Sequence, residues 1–318
     1  MRLLSLLLII TLFSWTGYWY FSSRGLYSDI DTYIANNSTE TNWSYENISV
    51  TGYPYRLDTK ISSLKVSDID RAWSITLDRF DFLSLIYKRD HHIIAIKAPV
   101  KLSSKSNKIE ISEGIIKSSL KLSDDNIISD LITESSFFTF FLNDFGKLSL
   151  IKLVGALKYQ ETKKGYLYRG HLKFKDLSRS GEQAIENEAA QKERILVSNF
   201  TLQGDLLLKK PLPSNKLTVE IFEGIKRINV QFQIEDALIH IVGDLKISGS
   251  NSIDGKIVFS VAQWNSLLDR IERNNVFEPE KIKIIRGGLI LSELSRKSSE
   301  GFVELPLLIK ENKIFLGP

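Results

Sequence analysis

The stretch Arg56-Leu57-Asp58-Thr59-Lys60-Ile61-Ser62 decides the fold, because its side chains alternate around Leu57, Thr59 and Ile61. A period of two sends successive side chains to opposite faces, so a half-buried strand sorts these residues and a helix does not. The same alternation returns outward along the chain at Trp73, Ile75 and Leu77, and again at His92, Ile94 and Ile96. Further strands are expected at Lys108 to Ile111, Ile115 to Leu122, Leu153 to Tyr159, Tyr166 to Phe174, Ile195 to Leu208, Lys216 to Phe222, Ile228 to Ile234 and Leu238 to Ser248. Short strands separated by polar or Gly-containing turns describe a mainly β (α+β) protein: a large antiparallel curved sheet, a sandwich or an incomplete barrel. Parallel α/β architecture is excluded, since most intervals are too short for the crossover helices it requires.

Two stretches interrupt the pattern. Asn126 to Phe145 carries Ile127, Ile128, Leu131, Ile132, Phe137, Phe138, Phe140 and Phe141, and is expected to form two short helices plugging one end of the sheet, with the phenylalanines in the core. Ser178 to Arg194 is polar and Glu-rich, reading as a loop, a solvated helix or a boundary between subdomains. Toward the C-terminus, Ser260 and Gln263 form an S-x-x-Q capping box, and Val261, Trp264, Leu267, Leu268 and Ile271 line one helical face. A second helix starts at Pro279 and runs to about Ser295, although Gly287 and Gly288 cost it about 2 kcal/mol against alanine. A hairpin closes the chain, Phe302 to Lys310 and Lys313 to Leu316 joined at Glu311-Asn312.

At the other end Leu3 to Phe21 contains no charge, and Met1-Arg2 supplies a positive start. The run approaches the roughly 20 residues that cross a bilayer. Leu3 to Phe13 alone has the length of a cleaved signal-peptide core, but Trp15, Tyr18, Trp19 and Tyr20 cluster where aromatic rings prefer the membrane interface, and no A-x-A-like site follows. A retained anchor over 1–23 is therefore expected, with residues 24–318 as a periplasmic β-rich domain and a subdomain boundary near 178–194. The positive-inside tendency keeps Arg2 cytoplasmic and makes the protein single-pass in the inner membrane. Leu26, Ile30, Tyr33 and Ile34 recur at helical spacing, so a short amphipathic helix leads off the membrane until Asn36 and Asn37.

Composition narrows the function classes. Lys+Arg minus Asp+Glu is 42 − 38 = +4 over 318 residues, too small and too interspersed a surplus to imply nucleic acid. Zero cysteines exclude disulfides, thiolate metal sites and cysteine nucleophiles. The four histidines, His91, His92, His171 and His240, lack the spacing of a metal-binding helix, and His91 and His92 fall on opposite faces of a strand. No G-x-S-x-G elbow, P-loop or dinucleotide-binding glycine motif occurs. Asp124-Asp125 and the Asp68/Asp70 pair read as turn acids. The N-x-[ST] triplets at Asn36, Asn37, Asn42, Asn47 and Asn199 matter only in a eukaryotic secretory pathway.

One motif stands apart. In Gly52-Tyr53-Pro54-Tyr55-Arg56, Gly52 allows a backbone conformation closed to other residues and Pro54 removes a ladder donor, with the tyrosines flanking it on one face of an extended strand. It reads either as a structural bend or as a docking or lipid-headgroup site built from Tyr53, Tyr55 and Arg56.

With the anchor-like N-terminus, Gly-Tyr-Pro-Tyr-Arg-Leu at Gly52 to Leu57 and the closing Lys-Ile-Phe-Leu-Gly-Pro at Lys313 to Pro318, the chain resembles the alphaproteobacterial domain-of-unknown-function 2125 family. There the first motif is typically Gly-Phe-Pro-Phe-Arg-Leu; Tyr53 and Tyr55 replace its phenylalanines, and Glu311-Asn312 replaces the usual Asp-Gly before the last strand. The resemblance implies an anchored periplasmic protein and passes on no catalytic residues. The expectation is a non-enzymatic envelope protein, without cofactor or metal, that holds or transfers lipid in a hydrophobic β groove. The alternatives are an assembly or scaffold factor binding another envelope protein and, third, a cell-envelope hydrolase.

Overall fold

Residues that alternate in polarity and are rich in Ile, Val, Phe and Thr pair their backbone amides most readily as an antiparallel meander. A computed structural model describes residues 2–36, 41–68, 72–104, 107–142, 146–162, 165–179, 194–213, 221–248, 252–273, 279–295 and 302–316. Helix α1 (Arg2–Asn36) leads into β1 (Thr41–Ser44), β2 (Asn47–Thr51), β3 (Arg56–Asp68), β4 (Trp73–Leu85), β5 (Lys88–Ser104), β6 (Lys108–Leu122) and β7 (Ile128–Leu142). There follow β8 (Gly146–Thr162), β9 (Gly165–Arg179), β10 (Arg194–Leu208), β11 (Phe222–Ile234), β12 (Ala237–Ser248) and β13 (Ser252–Ala262). The chain ends in α2 (Trp264–Arg273), α3 (Pro279–Ser295), β14 (Phe302–Lys310) and β15 (Lys313–Leu316).

The strands form one open antiparallel sheet in the order β1-β3-β4 and onward to β15, with β2 also bonded to β3. Of the expected architectures the single sheet is the one adopted, not the sandwich, and no bond among the described strands closes the path into a barrel.

Several local expectations change. Asn126 to Phe145 holds no helix pair among its described residues; Ile128–Leu142 is strand β7. Its β-branched and aromatic residues lose side-chain freedom in a helix and suit a pleated surface. The small hydroxyls Ser135 and Thr139 are buried there, and Phe137 and Phe141 are exposed, not core. Two strands expected around Gly114 are one, β6, because Gly114 takes a left-handed φ of 111° and a Cβ there would lie 2.4 Å from the Phe137 carbonyl oxygen. Anchor and following helix are likewise one uninterrupted α1, so residue 23 is not a boundary in the backbone. The capping box does not form: Ser260 is claimed by β13, opposite His240 and Glu304, and α2 starts at Trp264 after Gln263 at φ 54°. Of the strand expected at Lys216 to Phe222, 216–220 lie outside the described residues and Phe222 opens β11; 180–193 of the expected boundary segment also lie outside them.

The chain divides into two compact units, Met1–Asp125 with Leu131–Leu148, and Asn126–Asp130 with Ser149–Pro318. In the first, Ile48, Ile61, Leu64, Val66, Leu77 and Val100 form a buried cluster on which α1 lays Ile30 and Ile34. Registered pairs extend it across the strands as a row, Ile48–Ile61–Phe80–Ile96–Ile116. In the second unit, Trp264, Leu268 and Leu289 from the helix pair bury Ile239, Val261 and Val303. Tyr168, Leu208 and Leu212 make a separate cluster, in which the Leu212 amide donates to the Tyr168 hydroxyl at 3.0 Å.

Candidate functional site

The Gly52–Arg56 motif is a turn, not an extended strand with both tyrosines on one face. Gly52 has φ 106°, and a Cβ there would meet the Arg56 carbonyl oxygen at 2.9 Å, so the turn needs glycine. The Arg56 amide donates back to the Gly52 carbonyl at 2.9 Å, and the Tyr53-Pro54 peptide is cis.

What the turn rests on is α1. Trp15 and Trp19 stand four residues apart, hence on one helical face. The Trp15 indole donates to the Pro54 carbonyl at 3.0 Å and the Trp19 indole to the Arg56 carbonyl at 2.9 Å. Thr16 Oγ1 and the Tyr53 hydroxyl share a hydrogen bond of 2.8 Å, and the Trp19 ring meets Tyr53 edge-on at 5.5 Å. Tyr53 therefore faces the helix. Tyr55 projects outward, 61% exposed, while its carbonyl accepts from the Ile86 amide at 3.0 Å. Arg56 turns to Asp58, donating through Nε at 2.9 Å. The five motif residues thus form one constellation, and its helix half, Trp15, Thr16 and Trp19, is what the motif alone does not reveal.

Next to this junction lies a cavity of about 350 Å³, lined by Ser22 and Leu26 of α1 and by Leu57, Phe82, Leu85 and His92 of β3 to β5. His92 stacks on Phe82 at 4.8 Å, and His91 on the other side of β5 shares a 2.8 Å hydrogen bond with Ser119 Oγ. Further along α1 the Tyr45 hydroxyl donates to Asp31 at 2.6 Å. That bond, with burial and the Asp31 charge adding to it, pushes the Tyr45 phenol up to about 12.

A family model described as "Uncharacterized protein conserved in bacteria (DUF2125)" matches residues 19–318, from Trp19 of the indole pair onward. The chain belongs to this family. No curated protein and no solved structure matches it.

In this DUF2125 chain the remaining ionisable candidates do not converge. His240 shares a 3.0 Å hydrogen bond with Asn229, His171 lies opposite Gln203 in the β9–β10 ladder, and Asp124 and Asp125 occupy the turn before β7. Asp68 ends β3, and Asp70 is outside the described residues. No group of three or more metal-ligating side chains occurs among the described residues. The buried carboxylates there, Asp58 and Asp205, are each tied to guanidinium groups, Asp58 to Arg56 and Asp205 to Arg169 and Arg227.

More telling is how the second unit distributes polarity. Leu172, Leu202, Val230, Ile241, Phe259 and Leu305 stand opposite one another across β9 to β14, and one residue along, Lys173, Thr201, Gln231, His240, Ser260 and Glu304 do the same. One face is therefore apolar and the other polar. The helix pair buries the row Ile239–Val261–Val303, and Ile241, Phe259 and Leu305 pack against the same cluster, whereas Leu172, Leu202 and Val230 keep intermediate exposure.

Proposed function

We propose that this protein is a non-enzymatic, membrane-anchored envelope component that holds or passes lipid acyl chains on the apolar face of its sheet. Helix α1 would sit in the inner membrane with Arg2 toward the cytoplasm, and the sheet would work in the periplasm. The reading is carried by Leu172, Leu202 and Val230, which continue across β9 to β11 the apolar row whose other end, Ile241, Phe259 and Leu305, packs against the helix-pair cluster. Each acyl methylene taken from water onto such a face contributes about 0.8 kcal/mol. A bilayer is the nearest source of acyl chains for a sheet that begins on a helix long and apolar enough to cross one, and none of that helix's most apolar stretch is buried within the protein.

The test is photocrosslinking of the full chain in bacterial membranes, with benzoylphenylalanine at Val230 or Ile257 on the apolar face and at Gln231 on the polar one. Phospholipid adducts at Val230 and Ile257, and none at Gln231, are expected. Equal labelling at all three positions, or none, would sink the proposal.

An assembly or scaffold role is the second reading, favoured by the terminal strand β15, whose Ile314 and Phe315 are 67% and 48% exposed. Strand edges of this kind pair with extended segments of other proteins. Protein adducts from a probe at Ile314, without lipid adducts at Val230, would select it.

A further inference from the structure

We infer that the Gly52–Arg56 turn, with the neighbouring Ile86-Tyr87 turn, is a second membrane contact: a foot that enters the nearer lipid leaflet beside α1 and sets the height of the sheet above the bilayer. This rests on the membrane reading of α1 and not on lipid transfer by the sheet. Leu3 to Ser23 is free of charge, and at 1.5 Å per residue these residues span about 31 Å, the thickness of a hydrocarbon core. Trp19 and Trp15 lie four and eight residues before Ser23 (23 − 19 and 23 − 15), so about 6 and 12 Å inside the end of that span. Whatever is bonded to those two indoles shares their depth, and what is bonded is the turn, through Pro54 and Arg56.

Irregular backbone tolerates lipid only where its polar groups are met within the protein. Four carbonyls of this turn meet that condition. The carbonyls of Gly52, Pro54, Tyr55 and Arg56 each accept a hydrogen bond, from the Arg56 amide, the Trp15 indole, the Ile86 amide and the Trp19 indole. Pro54 has no amide to satisfy. The Arg56 guanidinium is engaged with Asp58, and Arg24 lies 5.5 Å over the Tyr20 ring, one residue beyond the charge-free run. Facing outward are Tyr55 and Tyr87, 61% and 68% exposed, the amphipathic rings that interfaces favour.

The absence of native cysteine permits a direct test. Four single-cysteine variants of the full chain, Leu8→Cys, Tyr55→Cys, Tyr87→Cys and Lys108→Cys, are labelled with an environment-sensitive fluorophore and reconstituted into phosphatidylcholine vesicles containing a minority of phosphatidylglycerol. Quenching is measured with nitroxides carried on the lipid headgroup or near the acyl-chain end. Labels at 55 and 87 should be quenched several-fold more by the headgroup nitroxide than the label at 108, across β5 from the foot, and the label at 8 by the chain-end nitroxide. If 8 is quenched while 55 or 87 behaves like 108, the foot is overturned and the anchor stands. If 8 is not quenched, the anchor itself fails, and the foot with it. Tyr55 and Tyr87 make no side-chain bond in the turn described above, so circular dichroism of both variants should match the parent.

Discussion

Helix α1 on β1 to β3 and the helix pair α2/α3 on β12 to β14 both lie on rows of Ile and Val, yet they are held there by different forces. The helix pair is attached by bulk: Trp264 and Leu268 of α2 and Leu289 of α3 are each 4% exposed, against Ile239, Val261 and Val303. Helix α1 contributes only the partly buried Ile30 and Ile34 to its cluster, and is fixed by the tips of its side chains: two indoles to backbone carbonyls, a threonine to a tyrosine, Asp31 to Tyr45. Dispersion and apolar burial are large but non-directional, whereas hydrogen bonds are small in net energy and strict in geometry. The C-terminal pair is built to stabilise a sheet face, and α1 to hold one turn at one level of the helix.

The contrast is broken most forcefully at Trp264. Replacing it by alanine removes the centre of the second unit's cluster and should cost about 3–5 kcal/mol. Denaturant melts would give the loss, and hydrogen exchange should locate it in β12 to β14 and leave β3 protected. A melt within 1 kcal/mol of the parent, roughly the size of a surface substitution, would mean that the helix pair is not attached by apolar burial.

A smaller effect sharpens the other side. Trp15→Phe and Trp19→Phe each keep a ring and lose an indole donor, so each should cost about 1 kcal/mol, the net worth of one hydrogen bond. Faster amide exchange at Arg56 and Ile86 is expected, with no change around Trp264. Exchange unaltered at both amides would show the indoles to be passengers.

The smallest effect is pH-dependent. Tyr45, raised to about 12 from its ordinary 10, keeps its proton more strongly folded than unfolded, so its contribution is complete below pH 10 and is lost as pH rises through about 12. Protection of β1 and β2 should therefore fall over that interval, and Tyr45→Phe should remove this component of the slope without touching the second unit. A tyrosinate titration in which Tyr45→Phe deletes a phenol of ordinary pKa would contradict the Asp31 bond.

Much of the fold was legible in the chain because it depends on near neighbours. Alternation around Leu57, Thr59 and Ile61 is strand β3, and the span Pro279–Ser295 is a helix despite Gly287 and Gly288. The last hairpin turns at Glu311-Asn312, whose φ values of 50° and 63° are the left-handed pair such a turn demands. What misled was local signal overruled by partners. The apolar run after Asn126 suits a helix in isolation, but β6 offers a ladder whose kink at Gly114 seats Phe137 and Phe138, and Ser260 could cap a helix were its backbone not paired on both sides.

The candidate site divides in the same way. Gly52 to Arg56 was conspicuous because glycine and proline announce a turn, and Trp15 and Trp19 because they belong to the aromatic cluster at the end of the charge-free run. That the two belong together could not be read, since 39 residues separate Trp15 from Pro54 and 37 separate Trp19 from Arg56. The amino-acid sequence by itself determined the period of most elements, the apolar helix at the start and the alternation of apolar and polar rows. Only the tertiary structure decided which carbonyls the indoles cap and which apolar rows stay partly exposed. Periodicity is a property of neighbouring residues; coverage and capping depend on which distant segments the folded chain brings within a few ångströms.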